Sequence, residues 1–170
     1  MPNTMTLIAS YEATGSVGSI NFSSIPSTYT DLVLNFSTRS NATDSADAFD
    51  TIIKFNNATT NLNFLSVRGD GSGVNANALT DRMLRTTDPS NYTASTFSNV
   101  SIYLPNYSNS SYNKSFSVDS VIENNATGSA QILIAGLWSQ TTAINQLTLV
   151  PNAGSFVQYS TAYLYGIVSS

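Results

Sequence analysis

The chain has 170 residues, of which 41% are hydrophobic, 11% aromatic and only 9% charged, with a net charge of -4 and neither histidine nor cysteine. An ordinary soluble domain carries about 25% charge, and here Ser, Thr and Asn take that place with 66 residues. The missing imidazole and thiol exclude Ser-His-Asp and Cys-His catalysis, zinc sites built on those groups, and disulfide staples.

The first residues, Met-Pro-Asn-Thr-Met-Thr, have no basic region and lead into a short apolar stretch, which is not a secretory signal. No apolar run approaches the ~18 residues that span a bilayer, so synthesis in a cytoplasm and no membrane partner are expected. Period-two alternation then recurs along the chain, predicting strands near 5 to 11, 17 to 22, 31 to 38, 50 to 56, 62 to 68, 96 to 104, 114 to 123, 130 to 138, 144 to 150 and 156 to 168. Leu32, Leu34 and Phe36 share one face, as do Val100, Ile102 and Leu104, and Phe116, Val118 and Ile122. Segment 130 to 138 is apolar on both faces, with Ile132, Ile134 and Trp138 on one and Leu133, Ala135 and Leu137 on the other. It is therefore expected to be a central strand buried on both sides.

Turn signals separate these runs, among them Pro26-Ser27, Asn56-Asn57, Gly69 to Gly73, Pro105-Asn106, Asn124-Asn125 and Pro151 to Gly154. The longest gap in the strand pattern, 69 to 95, holds the one helical candidate, Ala78 to Arg85, ended by Asp88-Pro89. The expected fold is all-β: a two-sheet antiparallel β-sandwich, jelly-roll-like, with about ten strands and at most one short helix, spanning residues 1 to 170 as a single domain. Sheet edges usually carry charge that blocks pairing with neighbours. This chain has only Lys54 and Lys114 as lysines, so its edges and faces are expected to be occupied in an assembly.

Scattered Arg39, Arg68, Arg82 and Arg85 make no phosphate-neutralising stripe, and nucleic acid is not an expected partner. Carboxylate chemistry survives the exclusions. Asp119 and Glu123 share a predicted strand face, but four residues at ~3.3 Å put their backbones about 13 Å apart, beyond the roughly 5 to 9.5 Å of glycosidase carboxyl pairs. Asp44, Asp47 and Asp50 cluster in one loop and Asp70 and Asp81 bracket a Gly-rich stretch, as oxygen ligands for calcium do, yet the spacing matches no EF-hand. Gly69, Gly71 and Gly73 lack the Lys-Ser/Thr of a phosphate loop.

Arg68-Gly69-Asp70 spells an integrin-type tripeptide at a strand end, a short match in a turn-rich chain. Ten Asn-x-Ser/Thr sequons, at Asn21, Asn35, Asn41, Asn57, Asn91, Asn99, Asn106, Asn109, Asn113 and Asn125, follow from the composition. Trp138 with Tyr103, Tyr107, Tyr112, Tyr159, Tyr163 and Tyr165 offers either core packing or a sugar-stacking platform. No catalytic residue, metal ligand or cofactor is assigned, and an enzyme is not expected. A carboxylate-only glycan hydrolase is the one enzymatic alternative.

The opening blocks, Leu7 to Ser10 and Ile20 to Leu34 ending at Ser37-Thr38-Arg39-Ser40, resemble small virion proteins of tailed bacteriophages, particularly those of aquatic bacteria. Ile102 to Tyr107, Ser117 to Asn125, Gly136 to Ser139 and Ala162 to Ile167 extend the resemblance over most of the chain. It implies a β-sandwich displayed on the particle, either decorating or cementing the head or belonging to the tail and its fibres. The strand pattern begins by Met5 and ends by Val168 without a shaft or anchor segment, which favours a capsid decoration protein on the outer head surface. Its expected partners are the major capsid protein or another virion protein and further copies of itself, as a trimer. The alternative is a tail or fibre module recognising a host surface glycan.

Overall fold

A computed structural model describes residues 5–43, 48–123, 125 and 129–168. Eleven strands form there: β1 (Met5–Glu12), β2 (Ile20–Phe22), β3 (Asp31–Ser37), β4 (Thr51–Phe55), β5 (Leu62–Gly69), β6 (Val74–Leu79), β7 (Asn99–Leu104), β8 (Lys114–Ile122), β9 (Ala130–Trp138), β10 (Leu147–Pro151) and β11 (Thr161–Ile167). They make an eight-stranded antiparallel sheet, in the order β1-β11-β3-β7-β8-β9-β5-β6, and a three-stranded one, β2-β10-β4. The all-β, two-sheet sandwich expected from the alternation is the fold, divided eight to three.

Each predicted strand corresponds to an observed one because its alternation is strong enough to fix which face is buried. On β3, Leu32, Leu34 and Phe36 are buried while Asp31, Val33 and Asn35 are only half-covered. The small sheet supplies the opposing apolar layer through Ile20, Phe22, Ile53, Phe55, Leu147 and Leu149. Phe55 joins the layers, with its ring centroid 5.3 Å from Phe116 and 5.5 Å from Trp138. Edge-to-face and tilted contacts of this kind add to what burial itself contributes.

Gly136 explains how the middle of the large sheet closes. It sits on β9 between Phe64 of β5 and Phe116 of β8 in register. A Cβ there would lie 2.2 Å from the Phe116 ring, so the two phenyl rings, 5.9 Å apart, occupy the space that a side chain would need. The turns use left-handed backbone where the asparagine signals stood, with φ of 51° at Asn56, 61° at Asn57, 51° at Asn106 and 55° at Asn125. Asparagine tolerates that conformation better than other residues with a Cβ.

Two expectations are corrected. The segment Ala78 to Arg85 contains no helix: its start completes β6, paired to β5 from Phe64↔Leu79 to Gly69↔Val74, and Met83 then bridges to Thr51. The β6 sequence alternates Asn and Ala, so it lacks the apolar contrast that marks a strand, while backbone pairing across the Asp70 to Gly73 turn forms it anyway. The second correction concerns β9. It is central, between β8 and β5, and Ile132, Ile134 and Trp138 are buried. Its other face is bare, with Leu133 58% and Leu137 37% exposed, because among the described residues no third layer covers that side.

Candidate functional site

The outer face of the eight-stranded sheet carries exposed apolar side chains, Leu65, Val67, Tyr103, Leu133, Leu137 and Tyr163 among them. Strand register aligns one transverse row across it: Leu7, Tyr165, Val33, Tyr103, Ser117, Ala135, Leu65 and Ala78. A second row runs from Tyr163 through Asn35, Ser101, Asp119, Leu133 and Val67 to Ala76. No outward-facing strand position carries Lys or Arg.

The two ends of this face differ chemically. At the β9-β5-β6 end, Leu65, Val67, Val74 and Leu133 are each more than half exposed. Leu65, Val67 and Leu133 line a shallow trough of about 820 Å³ together with Ala76, Ala78, Ala135 and Ser117. Tyr103 stands mid-sheet on β7 and Tyr163 toward the opposite edge on β11, with the Tyr103 hydroxyl donating to Asp31 at 2.8 Å. That carboxylate also accepts from the Asn106 backbone N–H at 2.9 Å. The hydrogen bond to Asp31 pushes the Tyr103 phenol up, followed by a smaller effect of burial.

The edge strands differ too. β1 has a register shift between Leu7 and Ala9 and ends in Glu12, two devices that discourage further pairing. β4 carries Lys54, and Thr51 exchanges backbone hydrogen bonds with Met83. β6 has no charge, no proline and no bulge.

Among the described residues, the acidic side chains singled out in the sequence meet at most in twos. Asp119 lies on the outer face between Ser101 and Leu133, and Glu123 follows the end of β8, accepting from the Asn125 N–H at 2.8 Å. Glu123 instead lines a small cleft of about 290 Å³ with Asp70. Hydrogen bonds from Ser72 first, then from Arg68 and the Gly73 N–H, hold the Asp70 carboxyl at about 2, so it is ionised and committed to its own turn. Asp44 and Asp47 lie outside the described residues. Asp50 is buried and accepts from Arg82 at 2.9 Å, whose guanidinium also reaches Asp81 at 2.7 Å. Among the described residues no group of three or more acidic side chains is placed to hold a metal.

The other motifs serve the fold. Arg68 and Asp70 of the tripeptide form an ion pair at 2.7 Å across the hairpin end. Sequon asparagines act as struts: Asn21 accepts from Gln146 and Thr148, Asn57 donates to Gln146, and Asn41 accepts from the Ser155 N–H. Trp138 and Tyr107 are in the core, the Tyr107 hydroxyl donating to the Pro26 carbonyl, so only Tyr103, Tyr112, Tyr159 and Tyr163 of the supposed platform are exposed. Lys114 does not guard an edge. Its ammonium is buried against the carbonyls of Tyr112 and Thr141, at 2.8 and 2.9 Å, and burial lowers its pKa. Sequence reasoning missed Arg39, whose guanidinium donates to the carbonyls of Ser90, Tyr92, Thr93 and Thr96 and so closes that loop over the end of the sandwich.

No protein-family model and no curated protein matches the sequence. Among solved structures the chain is similar to an exo-inulinase from Aspergillus awamori, at 17% identity and a TM-score of 0.50, over 96% of this chain and 29% of that one. It thus spans about 29% of that enzyme's length, and the likeness establishes the β-sandwich fold. Weaker similarities are to a fructofuranosidase from Schwanniomyces occidentalis (8% identity, TM-score 0.35, 99% of this chain and 35% of that) and to botulinum neurotoxin type C (11%, 0.26, 84% and 33%). No helix among the described residues is long and apolar enough to cross a membrane.

Proposed function

We propose that this chain is a phage virion structural protein that decorates the outer surface of the head and stabilises it by contact, without catalysis. The observation that carries this reading is the outer face of the eight-stranded sheet: broad, partly apolar, free of Lys and Arg, and bordered at one end by an unguarded edge. Such a surface is suited to binding another protein, because contiguous exposed apolar area of this extent is costly to leave in water. The acidic side chains support a role without chemistry, since Asp50, Asp70 and Asp81 are tied to arginines. The sequence resemblance to tailed-phage virion proteins supplies the biological setting, with the major capsid protein or another virion protein as partner. Many copies on one particle would turn individually weak contacts into a durable shell.

A second reading, a tail or fibre module recognising a host glycan, is favoured by the exposed Tyr103, hydrogen-bonded to Asp31, and by the exposed Tyr163 two strands away. Aromatic rings next to hydrogen-bonding groups suit a sugar's apolar and hydroxyl faces. Locating the protein in a reconstruction of the whole virion separates the two. Symmetric copies covering the head are expected. Density confined to the tail would favour the glycan reading, and absence from purified virions would contradict both.

A further inference from the structure

We infer that the aliphatic end of the outer face, formed by β9, β5 and β6, is the seat of a second copy of this chain, packed face to face about a two-fold axis. The inference rests on reading the outer face as a contact surface and names its occupant there.

Area is the first argument. Leu65, Val67, Val74, Leu133 and Leu137, exposed by 37% to 76%, present roughly 500 Å² of apolar side chain, at the upper end of what a monomer leaves bare. Two such patches pressed together remove roughly 1,000 Å², the lower bound for a specific protein interface. Burial confined to one edge strand would leave these side chains in water, so face-to-face packing satisfies them where edge pairing does not.

Shape and charge supply the second argument. In the row Ser117, Ala135, Leu65, Ala78 and the row Asp119, Leu133, Val67, Ala76, large side chains form a ridge with small ones on either side. The ridge residues Leu65, Val67 and Leu133 and the small residues flanking them line a shallow depression of about 820 Å³. A surface that carries both a ridge and an adjoining hollow can fit a copy of itself, each ridge seated in the other's hollow, which is the self-complementarity that a two-fold contact demands. A partner steered by charge finds little to hold here, because the aliphatic end has Asp119 at its margin and no cation among the outward strand positions. An isologous contact makes pairs, so this face builds a dimer and not the trimer expected from the sequence. The Tyr163 end, on β11 four strands from β9, stays free for the virion partner.

Sedimentation velocity of the full chain at micromolar concentration tests this. The wild type should sediment as a pair, little changed by about 1 M NaCl because ion pairs contribute little to it. Leu133→Arg should sediment as a monomer with its melting transition kept, and Val67→Asp should repeat the result should the first variant fold poorly. Tyr163→Arg, at the other end of the face, should remain paired. Pairing that survives both Leu133→Arg and Val67→Asp would overturn the inference. Cosedimentation with purified virion heads separates its failure from that of the decoration reading. A monomeric wild type that still binds heads overturns the pair, assigns the face to the virion partner and keeps the decoration role. A wild-type pair that ignores heads keeps the pair and overturns that role.

Discussion

Ile132 and Leu133 are neighbours on β9, similar in size and hydrophobicity, yet the first is sealed from water and the second is mostly exposed. The same contrast holds for the whole eight-stranded sheet. Its inner face meets the three-stranded sheet, with the Phe55 ring against Phe116 and Trp138, and on its outer face no other strand among the described residues covers Leu65, Val67 and Leu133. The difference teaches that apolar content does not decide burial; a covering layer does. Three strands and their loops suffice for one face of eight, and β9, β5 and β6 keep aliphatic side chains on the other. A contiguous group of apolar residues that the fold itself does not bury is a candidate contact surface, where a single one is not.

Substitutions on the two faces should therefore diverge sharply. Trp138→Ala on the inner face should cost about 3 to 5 kcal/mol in urea unfolding, through lost burial and the cavity left against Phe55. A loss below about 1 kcal/mol would place the indole outside the core. Gly136→Val should cost about 1 to 3 kcal/mol or more, because its side chain must displace the Phe116 ring. Here the check is whether the double variant Gly136→Val/Phe116→Ala recovers part of the loss; no recovery would mean that the clash is not its cause.

Charge sharpens the comparison between a covered and an uncovered group. Burial pushes the Asp50 carboxyl above its ordinary 3.8, outweighing the backbone N–H of Arg85 and the Arg82 guanidinium. A raised value means that its contribution is complete below 3.8 and is lost as pH rises through the folded value. Asp70 in its exposed turn is held at about 2, so its contribution is present above 3.8 and lost as pH falls toward 2. Asp50→Asn stays neutral at every pH. The stability of this variant relative to wild type should rise as pH climbs from 4 toward neutrality, and parallel curves would show that Asp50 is not under strain. The smallest effect is expected on the outer face, where Leu133→Thr in dilute solution should change stability by no more than about 0.5 kcal/mol.

Much of the fold was legible because each strand carries its own alternation, as at Leu32, Leu34 and Phe36, and because asparagines mark the left-handed turns at 56, 57 and 106. β6 was not legible, since Asn-Ala alternation has a period but little hydrophobic contrast, and Leu79, Met83 and Leu84 happen to fall at helical spacing. The bare face was hidden for a different reason. Leu133, Ala135 and Leu137 announce an apolar second face of β9, and nothing in a local pattern says how many strands the opposite sheet will have. Lys114 shows the same limit, since its type suits a solvent-exposed position while its place on the inner face of β8 buries it; Trp138, open to core packing or a sugar platform from its type, is in the core on β9 as its apolar face implied. The interface candidate emerges only when the register brings Leu65, Val67 and Leu133 side by side.

The absence of cysteine from the chain allows the central claim, that the outer face is closed by another molecule while the inner face is closed by the fold, to be tested by thiol labelling. Leu133→Cys, Ile132→Cys and Tyr112→Cys would each be exposed to a maleimide reagent in native protein at rising protein concentration. The account predicts that the Ile132→Cys variant stays unlabelled throughout and the Tyr112→Cys variant labels rapidly throughout. The Leu133→Cys variant should label rapidly when dilute and become protected as concentration rises. Equal labelling of the Leu133→Cys and Tyr112→Cys variants at every concentration would contradict it.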